Sequence, residues 1–277
     1  REVIERRHLI NGHKGAAKII AKIEKPEAVN DLKGILSETD AVMVARGDLG
    51  VEIPLEMVPL VQKRIVNLAK HMAKPVIIAT QMMESMMENI TPNRAEVNDV
   101  ANAVMDGADA VMLSGETSVG KHPVDVIKIM SRIINEVESQ YENIYVKETL
   151  PEKNNDRFIT NSICFNVCRL AQRVEAKAII TMTHSGYTAY KISSQRPKSE
   201  IFVFSSNKKL LSTLSLVWGV STFYYDKTIS TDHTIADIMH LLKEDEYVES
   251  GDLIINTASI PLGENGKTNM LKLSYIE

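Results

Sequence analysis

The sequence predicts an α/β fold, half of a TIM-type (β/α)8 barrel followed by a smaller α/β domain with a mostly parallel sheet. Three observations predict it. Four continuous apolar runs begin near residues 19, 41, 76 and 110, and each precedes a helix-like segment. Runs without alternation indicate strands buried on both faces, as in parallel sheets. Each run ends in polar residues: Lys22/Glu24, Arg46/Asp48, Thr80/Gln81 and Ser114/Glu116. Finally, four such units occupy roughly 125 residues, about half of what an eight-fold barrel needs. An open doubly wound sheet is the other arrangement of these units, but polar tips on all four strands favour a barrel rim.

The first segment, Arg1 to Gly12, reads as a helix entered part-way, and without a leading methionine the chain reads as part of a longer one. In Lys18 to Lys25, Ile19, Ala21 and Ile23 alternate with Lys18, Ile20, Lys22 and Glu24. That period of two makes a strand with Lys22 and Glu24 on one face. A helix over Pro26–Glu38 follows, then the strand Ala41–Ala45 and a short turn at Arg46-Gly47-Asp48. Val58, Val61, Ile65, Leu68 and Met72 give an amphipathic helix over Pro54–Met72. Pro75–Ala79 is the third strand. The next helix carries Val97, Val100, Ala101 and Val104 and stops at Gly107. Ala110–Leu113 is the fourth strand, and a long helix from Pro123 to about Tyr141 closes the half barrel, assigned to residues 1–145.

Residues 146–156 are charged, contain Pro151, lack periodicity and read as a linker. Residues 157–277 form the second domain. Its helices lie near Ile159–Val174, after the loop Thr183–Thr188, from Asn207 and from Ala236. Its strands are Ala178–Met182, Ile201–Phe204, Ser221–Tyr225 and Leu253–Asn256, with a last strand over Asn269–Tyr275 whose alternation suits antiparallel pairing.

Hydrophobic residues make up 44% and charged residues 25%, ordinary for a globular protein. A net charge of -4 supplies no global field for nucleic acid or an anionic membrane, so neither is expected as a partner. No apolar run reaches the length of a membrane span. The only cysteines, Cys164 and Cys168, stand four apart as core residues of one helix face, and so few thiols suit a reducing cytoplasm.

The strand tips carry the chemistry. Glu24 and Asp48 offer two hard carboxylates on neighbouring strands, the usual way to hold Mg²⁺ with waters and substrate oxygens. Lys22 places a point charge against a phosphoryl group without competing for the metal. Gly47 lets backbone N–H groups approach a carboxylate or phosphate closely. Thr80, Ser114 and Glu116 add groups suited to a proton relay. Together they suit a phosphorylated small carboxylic acid held on Mg²⁺.

Ala17-Lys-Ile-Ile-Ala-Lys22-Ile-Glu24-Lys-Pro-Glu-Ala-Val29 resembles the active-site signature of pyruvate kinase. Val44 to Pro54, Ala79-Thr80-Gln81-Met82, Arg94-Ala-Glu96 with Asp99 to Val104, and Leu113-Ser114-Gly115-Glu116-Thr117 resemble the same family in order. The resemblance covers essentially the whole chain and is strongest over 17–122.

It implies phosphoryl transfer from phosphoenolpyruvate to ADP, giving pyruvate and ATP in cytoplasmic glycolysis. Lys22 would contact the transferring phosphoryl group. Glu24 and Asp48 would ligate Mg²⁺ (or Mn²⁺), and Gly47, Asp48 and Thr80 would receive the substrate carboxylate. A relay near Thr80 and Ser114 would protonate the enolate. Arg46 would order the rim and a subunit contact, and Arg94 would sit at a subunit interface of a homo-oligomer, a tetramer in the family. The chain corresponds to barrel strands five to eight. The first four strands, the lid domain and the ligands of the family's K⁺ have no counterpart, so the isolated chain is expected to be inactive or nearly so.

In the second domain, Thr183, His184, Ser185, Gly186 and Thr188 resemble the loop that holds a phosphate of a sugar-phosphate activator in many relatives. Backbone N–H groups at a helix start suit an anion there. His184 stands where some relatives carry lysine, and Glu264 in the effector-loop segment 259–268 is unfavourable for a bisphosphate. Two other readings compete: a Mg²⁺-dependent enolpyruvate aldolase or lyase, and a non-catalytic effector-binding or oligomerisation module.

Overall fold

The computed structural model describes residues 2–141, 150–151, 153, 155–227, 230–260 and 266–277. Much of the expected linker over 146–156, and Glu264, lie outside the described residues. The chain divides into two compact units, Arg1–Ile144 and Tyr145–Glu277.

In the first unit, helix α1 (Glu2–Gly12) precedes strand β1 (Ile20–Ile23), and α2 (Pro26–Asn30) and α3 (Leu32–Glu38) follow. The single helix expected there breaks at Asp31, whose backbone leaves the helical region at φ -111° and ψ 36°. Next come β2 (Ala41–Ala45), α4 (Arg46–Glu52) and α5 (Val58–His71), the last entered through a 3-10 turn at Leu55–Met57. Then follow β3 (Val76–Ala79), α6 (Arg94–Asp106), β4 (Ala110–Met112), α7 (Gly115–Ser118) and α8 (Pro123–Gln140). Gly107 ends α6 in the left-handed conformation at φ 100°, as its position predicts.

The four strands pair in parallel in the order β1-β2-β3-β4, each followed by helix. The core of the unit gathers Ile23, Val42, Val44, Ile65, Val76, Ile78 and Val100 between sheet and helices. The expectation of burial on both faces holds for β2 and β3 and fails for β1 and β4. Those two are the edges of this sheet, each with a paired strand on one side only, and Ile20 stays 45% exposed.

The second unit contains α9 (Phe158–Arg173), β5 (Ala178–Met182), α10 (Tyr187–Ser194), β6 (Glu200–Ser205) and α11 (Lys208–Leu214). It continues with β7 (Val220–Tyr224), α12 (Thr231–Glu244), β8 (Leu253–Ala258) and β9 (Met270–Tyr275). The sheet order is β7-β6-β5-β8-β9, parallel except for β9, which runs antiparallel to β8. Strand order reverses at β5, so the loop leaving its carboxyl end lies where open α/β sheets bind ligands. Cys164 and Cys168 are free and buried on α9, and burial pushes the Cys164 thiol up to about 12. Among the described residues, no helix is long and apolar enough to cross a membrane.

Candidate active site

Parallel pairing of β1 with β2 sets Lys22 opposite Met43 and brings the two strand tips side by side. Glu24 follows β1, and Asp48 lies in the first turn of α4, which starts directly from β2. As a result Lys22 Nζ lies 2.7 Å from Glu24 Oε2 and 2.6 Å from Asp48 Oδ2. Two carboxylates just beyond the ends of adjacent strands thus converge on a single positive charge. The Asp48 and Glu24 hydrogen bonds raise the Lys22 ammonium above its ordinary value, and the Lys22 hydrogen bond holds Asp48 below the usual carboxylate range. Among the described residues, no group of three or more His, Cys, Asp or Glu is placed to hold a metal. A pair of hard oxygens, completed by waters and substrate oxygens, suits Mg²⁺ rather than a closed all-protein cage.

The tip of β3 has an unusual backbone. Thr80 and Gln81 take φ 70° and 54°, the left-handed region, which for a β-branched residue is a true outlier. Thr80 Oγ1 accepts a hydrogen bond from Gly47 N at 2.9 Å and donates to Ala79 O at 2.6 Å. The Gly47 N–H that the sequence assigns to a ligand carboxylate is therefore already engaged by Thr80. Arg46 is buried, and its guanidinium donates to Thr80 O, Gln81 O and Asp99 Oδ1 within this chain. Arg46 orders the rim. Arg94 opens α6 as an exposed residue away from these bonds.

Glu116, expected in a proton relay, is held by backbone N–H groups. Its side chain is 4% exposed, Oε1 accepts from Met83 N at 3.3 Å and Oε2 from Ser114 N at 2.7 Å. Both oxygens brace the loops after β3 and β4, as burying a carboxylate requires. Ser114 is exposed at the start of α7, and Thr80 is half-buried.

The second unit holds a cavity of about 430 Å³ at the carboxyl ends of its strands. Thr183, His184, Ser185 and Thr188 line it, together with Arg157, Lys227 and Lys267. Gly186 is buried just beneath, at φ 80°, and its N–H donates to Thr183 Oγ1 at 3.0 Å. The positive φ favours glycine, and a Cβ there would also meet Leu210 Cδ1 at 2.6 Å, so that leucine would have to shift. The Thr188 hydroxyl is hydrogen-bonded to that of Thr268 at 2.6 Å. Arg157 and Lys227 are isolated charged residues outside any motif, and nothing in the sequence marked them.

Comparison with known proteins places both units. The family model described as pyruvate kinase, barrel domain, matches residues 1–127, and that described as pyruvate kinase, alpha/beta domain, matches 161–274. A pyruvate kinase of Clostridium acetobutylicum is 40% identical over all of this chain and 58% of its own length. One of Corynebacterium glutamicum is 45% identical over 93% of this chain and 53% of its own length. The crystal structure of a pyruvate kinase from Cryptosporidium parvum superposes on 99% of this chain with a TM-score of 0.89 at 36% identity, using 56% of that structure. The chain spans little more than half the length of these relatives.

Proposed function

The chain belongs to the pyruvate kinase family, and we propose that it carries the metal-holding half of an active site that transfers a phosphoryl group from phosphoenolpyruvate to ADP, giving pyruvate and ATP. The observation that carries the reading is the convergence of Glu24 and Asp48 on one point, held in this structure by the Lys22 ammonium. When bound there, Mg²⁺ (or Mn²⁺) supplies Lewis-acid stabilisation of the enolate oxygen. With a metal held there, Lys22 would leave the carboxylates, and its fixed charge would face the phosphoryl group, where negative charge moves in the transition state. Thr80 and the backbone at Asp48 would orient the substrate carboxylate, with Gly47 N–H joining them only if its bond to Thr80 Oγ1 opens, and Ser114 would be the other hydroxyl of the proton relay. Glu116 takes part as a brace.

K⁺ belongs to the same proposal only through the family, since this chain offers no assigned ligand for it. The cavity of the second unit takes an anionic effector, a sugar phosphate or another phosphate monoester, with Arg157, Lys227 and Lys267 as its cations. Assembly into a homo-oligomer, with Arg94 and the Arg46 rim near subunit contacts, and a cytoplasmic setting complete the reading.

Lys22 between the carboxylates argues against a Mg²⁺-dependent aldolase or lyase, whose enolate needs no second cation. The cavity is the observation that favours the other reading, an effector-binding module without chemistry. Calorimetric titration with oxalate, a planar stand-in for the enolate of pyruvate, separates the two. Oxalate heat that appears only with Mg²⁺ or Mn²⁺ supports the active-site reading. Phosphate-ester binding with no metal-dependent oxalate binding overturns it.

A further inference from the structure

We propose that Asp99 is a positioning residue that acts through Arg46 to hold Thr80 where its hydroxyl serves the rim. The inference deepens the active-site reading and rests on it.

Thr80 and Gln81 are consecutive residues in the left-handed region. A β-branched residue keeps that conformation only where its surroundings over-determine it. Here the side chain is tied to Gly47 N and Ala79 O, and the carbonyls of the turn are held by one guanidinium, which also lies 2.8 Å from Met82 Sδ. Arg46 Nη2 donates to Thr80 O at 2.7 Å and to Gln81 O at 3.1 Å, and Nε reaches Thr80 O at 3.3 Å. Two successive carbonyls held on a single planar fork fix the turn of the backbone between them. The turn in turn aims Thr80 Oγ1 at Gly47 N, 2.9 Å away, between the tips of β2 and β3.

The fork needs its own anchor, and Asp99 Oδ1 supplies it, 2.5 Å from Nη1. The Arg46 side chain is 9% exposed and that of Asp99 31%, so the pair is largely sheltered. Without the carboxylate the guanidinium would be a buried charge lacking its partner, free to give up the carbonyls and seek water. Asp99 is itself well placed. Helix α6 starts with a capping box, Asn93 Oδ1 accepting from Glu96 N and Glu96 Oε2 from Asn93 N. Glu96 also accepts from Ser85 N and Ser85 Oγ, tying the start of α6 to the segment that follows β3. Asp99 thus lies two links from the candidate ligand, and its identity is set by Arg46 and not by contact with substrate.

The test uses the full chain with Asp99→Ala, Asp99→Asn and Arg46→Lys. Mn²⁺ affinity is measured first without oxalate by electron paramagnetic resonance, then oxalate affinity at saturating Mn²⁺, both on protein shown to be folded. Because Glu24 and Asp48 are untouched, Mn²⁺ affinity should stay within about twofold, whereas oxalate affinity should fall about tenfold in Asp99→Ala, the scale of losses behind a ligating shell. Asp99→Asn should lose less, since its amide oxygen still accepts from Nη1. Arg46→Lys, which keeps charge but loses the fork, should resemble Asp99→Ala and supplies the answer if that variant does not fold. Unchanged oxalate affinity in Asp99→Ala and Arg46→Lys, or equal losses of Mn²⁺ and oxalate, would overturn the proposal. Metal-independent or absent oxalate binding by the unmodified chain would overturn the active-site reading itself, and the proposal with it.

Discussion

Asp48 Oδ2 lies 2.6 Å from Lys22 Nζ, and the same nitrogen is 2.7 Å from Glu24 Oε2. The ammonium group therefore sits where the two carboxylates would grip a divalent ion, so metal and lysine compete for one set of oxygens, contrary to the expectation from sequence that Lys22 would not compete with the metal. Lys22→Met should tighten Mn²⁺ binding by roughly threefold, in keeping with the weak worth of a solvent-screened pair. The same change should remove any phosphoryl transfer by an assembled enzyme. Weaker Mn²⁺ binding in the variant would mean that Lys22 supports the metal instead of yielding to it.

Glu116→Gln separates brace from relay. The carboxylate accepts from two backbone N–H groups, and an amide can present only one acceptor to them. The variant should lose about 1–3 kcal/mol of stability in urea unfolding, the cost of leaving a buried donor unmet. A variant of unchanged stability would return Glu116 to the chemistry.

The acid limb of stability is expected to draw on Asp40. Burial alone would raise its carboxyl, but the Ile19 N–H and the Arg7 guanidinium outweigh that and hold it below 3.8. A depressed folded value means that the unfolded chain binds the proton more readily. The stabilisation is thus present above 3.8 and is lost as pH falls through the lower folded value. Asp40→Asn should cost roughly 1 kcal/mol at neutral pH after allowing for solvent contact, with the deficit closing in strong acid. Urea midpoints across the acid range test this, and a deficit that grows toward low pH would contradict it.

Gly186→Ala places a Cβ at φ 80° and 2.6 Å from Leu210 Cδ1. A left-handed alanine costs about 1–2 kcal/mol before any clash. The second unit should unfold earlier and lose affinity for inorganic phosphate, read by differential scanning with and without the anion. Intact phosphate binding would show that the loop is an ordinary strand-to-helix turn.

Strand positions were legible because an apolar run of four or five residues between helix-like segments is long enough for a buried strand and too short for a helix, and β5 falls on the residues expected. The partial exposure of β1 and β4 follows from the half-barrel reading, which leaves two strand edges unpaired, although the residues of the runs do not themselves show it. Glu24, Asp48 and Lys22 were legible as polar tips on adjacent strands. The break at Asp31 and the left-handed backbone of Thr80 were not, because neither residue is one that favours its conformation strongly enough to announce it. Asp99 is one acidic residue on an amphipathic helix, and only the fold brings it from 53 positions away onto Arg46. Glu116 was legible by motif position, but its burial against two backbone N–H groups was not.

The shared divalent ion is tested most directly by electron paramagnetic resonance of Mn²⁺ titrated into the unmodified chain, Glu24→Gln and Asp48→Asn. The account predicts one site in the unmodified chain, weakened at least about tenfold by either substitution, as expected when a two-carboxylate site loses one of its charges. Mn²⁺ binding that survives both substitutions unchanged would contradict it.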